Sequence, residues 1–158
     1  MKTYVVYPGT FDPVTFGHID IVERSSKIFN QVIIAIAQNS FKKPLFTPDE
    51  RKEMMSKALS HIHNVTIDSF EGLLIDYCKK KECKIVIRGL RAITDFEYEF
   101  QMALTNRKIS DQFETVFMMP NEAYSYLSSK IIKEIVSLGG RISQFVPEFV
   151  EKKLQEKL

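Results

Sequence analysis

The hydrophobic pattern along the chain switches repeatedly between the period of a strand and the period of a helix. Short runs bounded by turn residues predict five strands, at residues 4–7, 32–37, 65–70, 84–87 and 113–119, of which the first two are expected to be buried. Apolar periodicity and capping signals predict helices at 17–29, 48–60, 72–82, 93–109 and 128–138, and a last helix opening at Pro147. This alternation is typical of βαβ units, so we expect an α/β fold with a doubly wound five-stranded parallel sheet, as a single domain over residues 1–158.

The start of the second predicted helix is marked by a capping box. Thr47 supplies the cap, Pro48 takes the first helical position, and Glu50 follows three residues after the threonine. In the helix at 93–109, Phe96, Phe100, Ala103 and Leu104 are spaced to share one face.

Composition narrows the class of protein without naming it. The 158 residues are 44% hydrophobic and 27% charged, which excludes a disordered or fibrous chain. With 22 basic and 20 acidic residues the net charge is +2, too small to favour a protein that wraps nucleic acid. The first apolar run stops at Pro8, and no stretch approaches the roughly 20 apolar residues of a membrane span. We expect neither a nucleic acid nor a membrane as partner.

The two cysteines do not indicate a disulfide bond, and the H-x-H pair does not indicate a metal site. Cys78 and Cys83 lie five residues apart on or near a predicted helix, poorly placed to bridge, so we expect reduced thiols and a cytoplasmic protein. His61 and His63 have no cysteine or carboxylate cluster beside them and are interpreted as surface residues. No metal-ligating residue is predicted.

Polar and cationic residues follow four of the five predicted strands, which is where parallel sheets bind ligands. They are Gly9 to Asp12 with Gly17 and His18, then Asn39, Lys42 and Lys43, then Arg88, Gly89 and Arg91, and finally Asn121 with the segment Ser125–Lys130. Hydroxyl, imidazole, ammonium and guanidinium groups at one sheet edge predict a phosphate site that could serve two phosphorylated ligands.

The first strand is followed by none of the common nucleotide-binding fingerprints. G-x-G-x-x-G is absent there and G-x-x-x-x-G-K-(S/T) is absent throughout, which disfavours dinucleotide oxidoreductases and P-loop enzymes. Instead a helix predicted to begin near Gly17 places His18 at its N-terminus, where free N–H groups and the helix dipole favour a phosphate. Because the dipole also favours the neutral ring, we expect His18 to be a hydrogen-bond donor.

These motifs resemble a known superfamily. Gly9-Thr10-Phe11-Asp12 with Gly17-His18 is similar to the G-T-F-D-x-x-x-x-G-H signature of the nucleotidyltransferases, and Tyr124–Ser129 is similar to their second signature. Further segments resemble the bacterial phosphopantetheine adenylyltransferases, essentially end to end: residues 7–13 (YPGTFDP), 17–21 (GHIDI), 42–44 (KKP), 87–91 (IRGLR) and 95–99 (DFEYE).

The resemblance implies a Rossmann-like nucleotidyltransferase fold and a reaction. AMP would pass from ATP to 4′-phosphopantetheine, giving dephospho-CoA and pyrophosphate, the penultimate step of coenzyme A biosynthesis. It further implies a requirement for Mg²⁺, which would be bound mainly by the phosphates of the substrates. It also implies inhibition by coenzyme A and a homohexamer built as a dimer of trimers.

Site roles also follow from the resemblance. His18 would be the catalytic residue that stabilises the transition state. Thr10 and Lys42 would hold the phosphate of phosphopantetheine, Arg88 would serve the same ligand, and Leu74 would line its arm. The residues expected to bind ATP are Thr10, Phe11, His18, Gly89, Leu90, Arg91, Glu99, Tyr124, Ser125, Tyr126, Leu127, Ser128, Ser129 and Lys130.

Two positions depart from the family pattern. Phe16 stands where asparagine is usual, and Lys130 stands where the second signature usually has a hydroxyl. The ammonium of Lys130 could still meet a phosphate.

Each residue taken alone has a purely structural interpretation. Thr10 and Asp12 could shape a turn, Asp12 orienting the loop rather than binding metal, and His18 could begin a helix while capping nothing. Arg88 and Arg91 could be ion-pair partners of Asp95 and Glu99, Ser128 and Ser129 could cap a helix, and Leu74 could be core. Their convergence at one sheet edge favours the functional interpretation.

Three other function classes remain open from the sequence. A cytidylyltransferase shares the first signature, although such enzymes typically have an R-T-x-G-(I/V)-S-T segment where this chain has residues 124–130. A tRNA-charging fragment lacks support, because no anticodon domain or strongly basic face is present. A nucleotide sensor without catalysis is the third class.

Overall fold

The computed structural model describes residues 2–38 and 41–158, and within them a five-stranded parallel sheet. Its strands are β1 (Tyr4–Gly9), β2 (Gln31–Ala37), β3 (Val65–Phe70), β4 (Ile85–Gly89) and β5 (Glu114–Met118). The strand order β3-β2-β1-β4-β5 confirms the expected doubly wound topology and places the switch point between β1 and β4. Asn39, one of the polar residues expected at the sheet edge, lies outside the described residues.

Six α-helices connect or follow these strands in the described part of the chain. They are α1 (Phe16–Ile28), α2 (Pro48–Ala58), α3 (Leu74–Lys80), α4 (Ile93–Ile109), α5 (Ser129–Ser137) and α6 (Glu148–Lys157). The bounds of α4 are as predicted, but α3 begins two residues later than expected because Gly72 adopts a left-handed φ of 85°.

Pro8 belongs to β1, whereas the sequence predicted that the strand would stop before it. It lies opposite Ala35 of β2 in the parallel register, and the strand continues to Gly9. A proline in a central strand lacks the N–H of a ladder bond, yet its carbonyl oxygen accepts a hydrogen bond from Arg88.

The predicted capping box at the start of α2 is confirmed. The Oγ1 of Thr47 accepts the N–H of Glu50 at 3.2 Å, and the Oε2 of Glu50 accepts the N–H of Thr47 at 2.8 Å. Each bond satisfies a helix-end donor that would otherwise need water.

Alternating side chains of the strands build a hydrophobic core on each face of the sheet. Val5 and Ile34 pack with α1, α2, α5 and α6, while Val6 and Ala35 pack on the other face with α3. Both faces of the central strands are therefore covered, and their carboxyl ends are left for a site.

The apolar face predicted for α4 points outward. Phe96, Phe100 and Leu104 are 44–49% exposed, and of the side chains described in α4 only that of Glu99 is buried. Periodicity identified the helix correctly, but it did not indicate whether this face packs inward or is exposed.

The remaining sequence candidates lie away from the sheet edge. Cys78 and Cys83 are buried free thiols, and burial raises the pKa of Cys78 to about 12. The Nε2 of His61 lies 2.8 Å from the Oε1 of Glu23 on the surface. Within the described residues, no helix combines the length and apolarity needed to cross a membrane.

Candidate active site

Two neighbouring cavities open at the carboxyl ends of the strands. The first has a volume of about 400 Å³ and lies over β1, β4 and the start of α5. The second, about 640 Å³, extends over β2, α3 and α4 and has a largely apolar wall. They share one wall, formed by Pro8, Gly9, Thr10, Lys42, Arg88 and Glu99. Two ligands can therefore lie side by side with their ends meeting at Thr10 and Lys42.

Most of the residues predicted for the site line these cavities. Those in the wall of the first are Thr10, Phe11, His18, Lys42, Arg88, Gly89, Arg91, Glu99, Tyr124, Leu127, Ser128, Ser129 and Lys130. Leu74 lines the second cavity, as its expected contact with an apolar arm requires.

Three predicted residues lie outside both cavity walls. The N–H of Leu90 donates to the carbonyl of Met118, which extends the β4–β5 pairing. The Oγ of Ser125 donates to the carbonyl of Glu122, and the ring of Tyr126 is 64% exposed and packs edge-on against Phe145. Their binding of ATP stays a prediction from the resemblance.

The loop after β1 folds back under the strand end. Phe11 has a left-handed φ of 49°, and its buried ring packs edge-on against Tyr7, at 5.3 Å, and His18, at 5.0 Å between ring centroids. A Cβ at Gly9 would lie only 2.8 Å from the Phe11 ring, so the close packing requires glycine there. This turn fixes one face of His18.

His18 is held by a second capping box. Thr15 caps α1, which begins at Phe16, close to the predicted start, and its Oγ1 accepts the N–H of His18 at 3.3 Å. In return the Nδ1 of His18 accepts the N–H of Thr15 at 3.0 Å. The structural interpretation in which His18 caps nothing is therefore wrong. Because Nδ1 accepts a main-chain N–H, the neutral ring has its proton on Nε2.

The electrostatic environment keeps this ring neutral. Burial, with a smaller contribution from the positive charge of Arg91, lowers the pKa of His18 from 6.5 to about 4. Near pH 7 the side chain is thus an N–H donor without a charge. The sequence predicted the neutral donor from the helix dipole, whereas in the structure burial is the main cause.

The lowered pKa of His18 predicts a pH dependence of stability. The unfolded chain binds more protons than the folded chain between about pH 4 and 6.5. The contribution of this group is therefore fully present above pH 6.5 and is lost as the pH falls toward 4. We expect His18→Gln, which retains a capping side chain but does not titrate, to flatten this part of the profile. Urea unfolding of both proteins across this range measures the difference, and parallel profiles would contradict the assignment.

Both arginines of the site form ion pairs and line the first cavity. The Nε and Nη2 of Arg88 both donate to the carboxylate of Glu99, the Nε at 2.7 Å. The Nη1 of Arg88 donates to the carbonyl of Pro8 at 3.0 Å. Burial lowers the pKa of Arg88, but Glu99 more than offsets this and the pKa is raised. Arg91 pairs with Asp95 at 2.9 Å and donates to the carbonyl of Leu127 at 2.9 Å. The predicted ion pairing is confirmed, and it coexists with exposure to the cavity.

Asp12 orients a neighbouring loop, as predicted from the sequence. Its carboxylate accepts the N–H groups of Leu45 and Phe46, each at 2.9 Å, and the Nζ of Lys133 lies 2.6 Å from its Oδ2. The analysis of the sequence missed Lys133, which also lines the first cavity. Its position three residues after Lys130, on the same face of α5, was the available signal.

Comparison with known proteins identifies the class that this fold and site define. The family model described as cytidylyltransferase-like matches residues 6–135. The chain therefore belongs to the cytidylyltransferase-like nucleotidyltransferases.

Relatives with similar sequences narrow the class to one family. The phosphopantetheine adenylyltransferase of Dictyoglomus thermophilum is 55% identical over 152 residues, covering 96% of this chain and 93% of that protein. The phosphopantetheine adenylyltransferase of Carboxydothermus hydrogenoformans is 53% identical over 152 residues, with 96% and 94% covered. This chain is a member of the phosphopantetheine adenylyltransferase family.

Solved structures add support for the fold alone. A crystal structure from Vibrio parahaemolyticus, reported under the name nicotinate-nucleotide adenylyltransferase, superposes with a TM-score of 0.74. The superposition covers 98% of this chain and 99% of the Vibrio chain, and the two sequences are 16% identical. The doubly wound architecture is thus shared at low sequence identity.

Proposed function

We propose that the paired cavities transfer the adenylyl group of ATP to 4′-phosphopantetheine, giving dephospho-CoA and pyrophosphate. The observation that supports this most directly is the shared wall, in which Thr10 and Lys42 face both cavities. A reaction between two phosphate esters needs two sites that meet at phosphate-binding groups, and the wall supplies a hydroxyl and an ammonium there.

ATP would occupy the first cavity and phosphopantetheine the second. The N-terminus of α5, with Ser129 and Lys130 in the wall of the first cavity, suits the triphosphate because the free N–H groups at the start of a helix favour anions. The second cavity has an apolar wall that includes Leu74 and Met102, which suits a pantetheine arm. Arg88 lies between them and would serve the acceptor phosphate.

The chemistry would be a direct displacement at phosphorus. An oxygen of the phosphopantetheine phosphate forms a bond to the α-phosphorus of ATP, and the bond from that phosphorus to the β-bridging oxygen breaks. Pyrophosphate leaves with the electron pair. The attacking monoester is already ionised near neutral pH, so the residues need only align two anions and stabilise the charge that develops. The Nε2–H of His18 is the donor proposed for the α-phosphate.

Mg²⁺ would enter with ATP as part of the substrate. The carboxylates in the wall of the first cavity belong to Asp12, Asp95 and Glu99, and each is paired with a lysine or arginine of the chain. Among the described residues, no three histidine, cysteine, aspartate or glutamate side chains come together as a metal site. These residues do not fit a metal held by the protein, so we assign no catalytic step to one.

A coupled pyrophosphate assay tests the proposed reaction. We expect pyrophosphate release that requires ATP, Mg²⁺ and 4′-phosphopantetheine together, with CTP a much poorer donor. Preference for CTP would favour a cytidylyltransferase. Binding of ATP in calorimetry without pyrophosphate release would favour a nucleotide sensor.

A homohexamer, built as a dimer of trimers, is part of the same proposal. The outward face of α4, with Phe96, Phe100 and Leu104 exposed, supports burial against other copies, since contiguous exposed apolar side chains mark interfaces. Light scattering should give six times the 18.3 kDa of one chain. A mass of one chain would contradict the assembly.

Inhibition by coenzyme A and a cytoplasmic location complete the proposal. Coenzyme A contains the pantetheine arm and would compete for the second cavity. Addition of coenzyme A to the assay should therefore raise the KM for phosphopantetheine. The buried free thiols of Cys78 and Cys83 suit a reducing compartment.

A further inference from the structure

Arg51 is the largest side chain that is fully buried in the described part of the chain. It lies on α2 and is 1% exposed, although charged residues are almost never fully buried without a partner of opposite charge. Within the described residues it forms no ion pair, and it lines neither cavity. Burial of such a group needs a specific compensation.

The direct hydrogen-bond partners are three main-chain carbonyls, and the negative charge of Asp12 nearby partly opposes the lowering of the Arg51 pKa by burial. The Nε of Arg51 donates to the carbonyl of Phe46 at 3.1 Å, and its Nη1 donates to the carbonyls of Thr10 at 2.8 Å and Ala37 at 3.0 Å. Ala37 ends β2, and Phe46 lies just before α2. The guanidinium therefore donates hydrogen bonds to both ends of the segment that contains Lys42 and to the main chain of Thr10.

The two residues connected in this way are those in the wall that both cavities share. Thr10 follows β1 and Lys42 follows β2. The distance between these two residues therefore depends on the hydrogen bonds that hold the two segments together. Asp12 fastens the same segment from the β1 side, through the N–H groups of Leu45 and Phe46. A flat guanidinium can serve three carbonyls in fixed directions, which the compact ammonium of lysine cannot reproduce.

We infer that Arg51 is a positioning residue, which sets the distance between Thr10 and Lys42 and thereby aligns the acceptor phosphate. This inference rests on the proposed function. Arg51 does not touch substrate, because it lies behind the cavity wall and acts through the two main-chain segments. Displacement of reacting groups by about 1 Å can lower a rate by roughly a hundredfold, so the geometric role has a measurable consequence.

Arg51→Lys is the test, with Met55→Ala as the matched control. Met55 is a fully buried residue of the same helix that makes apolar contacts only, so its truncation lowers stability without releasing the carbonyls. Both variants should lower the unfolding temperature. At a temperature where both are folded, Arg51→Lys should lower kcat/KM for phosphopantetheine about tenfold or more, with a smaller change in the KM for ATP, and Met55→Ala should leave both near normal.

A double-mutant cycle with Lys42→Ala separates positioning from general stability. If Arg51 acts through Lys42, the loss caused by Arg51→Lys should shrink to roughly twofold or less once Lys42 is alanine. Full additivity, or an equal loss of activity in Met55→Ala, would overturn the inference. Arg51→Gln replaces Arg51→Lys if that variant does not fold, and failure of both to fold would assign Arg51 to global stability and also overturn it.

The unsubstituted protein is measured first, so that the two proposals fail separately. Absence of pyrophosphate release with phosphopantetheine would remove the proposed function, and this inference with it. Normal release by the unsubstituted protein together with unchanged kinetic constants in Arg51→Lys would remove the inference alone.

Discussion

Replacing His18 with alanine should lower kcat at least roughly a hundredfold, as removal of an oxyanion-hole donor does in other enzymes. The Nε2–H of the neutral ring is aimed at the cavity, because Nδ1 is engaged by the N–H of Thr15. Its loss removes the donor that we propose for the charge developing at the α-phosphate. The KM values should change much less than kcat, since the interaction strengthens in the transition state.

The matched control for this substitution is Glu50→Ala. Glu50 closes the capping box of α2 in the same way that His18 closes that of α1, and it lies outside the walls of both cavities. Each variant should cost about 1 kcal/mol of stability through its lost cap, and Glu50→Ala also loses the ion pair between Glu50 and Lys157. Only His18→Ala should lose turnover, so near-normal kcat in that variant would remove His18 from the mechanism.

The sequence predicts β1 and β2 well because most residues of these two strands are buried between the layers that cover both faces of the sheet. Runs such as residues 32–37 contain no charge, and the turn residues around them mark where each strand ends. The outward face of α4 has the same apolar spacing as an inward one, so periodicity alone cannot distinguish a buried face from an exposed one.

The candidate site is predicted less completely, for reasons that lie in local geometry. The family signature spans consecutive residues 124–130, yet a turn cannot direct all of its side chains toward one cavity, and Ser125 and Tyr126 point elsewhere. Lys133 and Arg51 lie on helices, where a charged residue is ordinarily a solvent-facing one. Their roles depend on carboxylate and carbonyl groups that are distant in sequence.

The Arg88–Glu99 pair provides the second large effect that we expect. The side chains of Arg88 and Glu99 are 30% and 10% exposed, so Arg88→Met leaves a carboxylate poorly solvated and without its cation. Loss of one partner of a buried pair costs about 3 kcal/mol. The unpaired negative charge would also repel the acceptor phosphate, and kcat/KM for phosphopantetheine should fall roughly a hundredfold or more.

The double variant Arg88→Met/Glu99→Gln separates the structural consequence of this substitution from the functional one. Removal of the second charge should restore most of the lost stability, because the remaining amide is neutral and no longer needs a cation. It should not restore kcat/KM for phosphopantetheine to the original value, since the guanidinium proposed for the acceptor phosphate is still missing. Urea unfolding and the pyrophosphate assay measure the two quantities. Recovery of both together would show that Arg88 serves only to neutralise Glu99, whereas recovery of stability alone would support a contact between Arg88 and the phosphate.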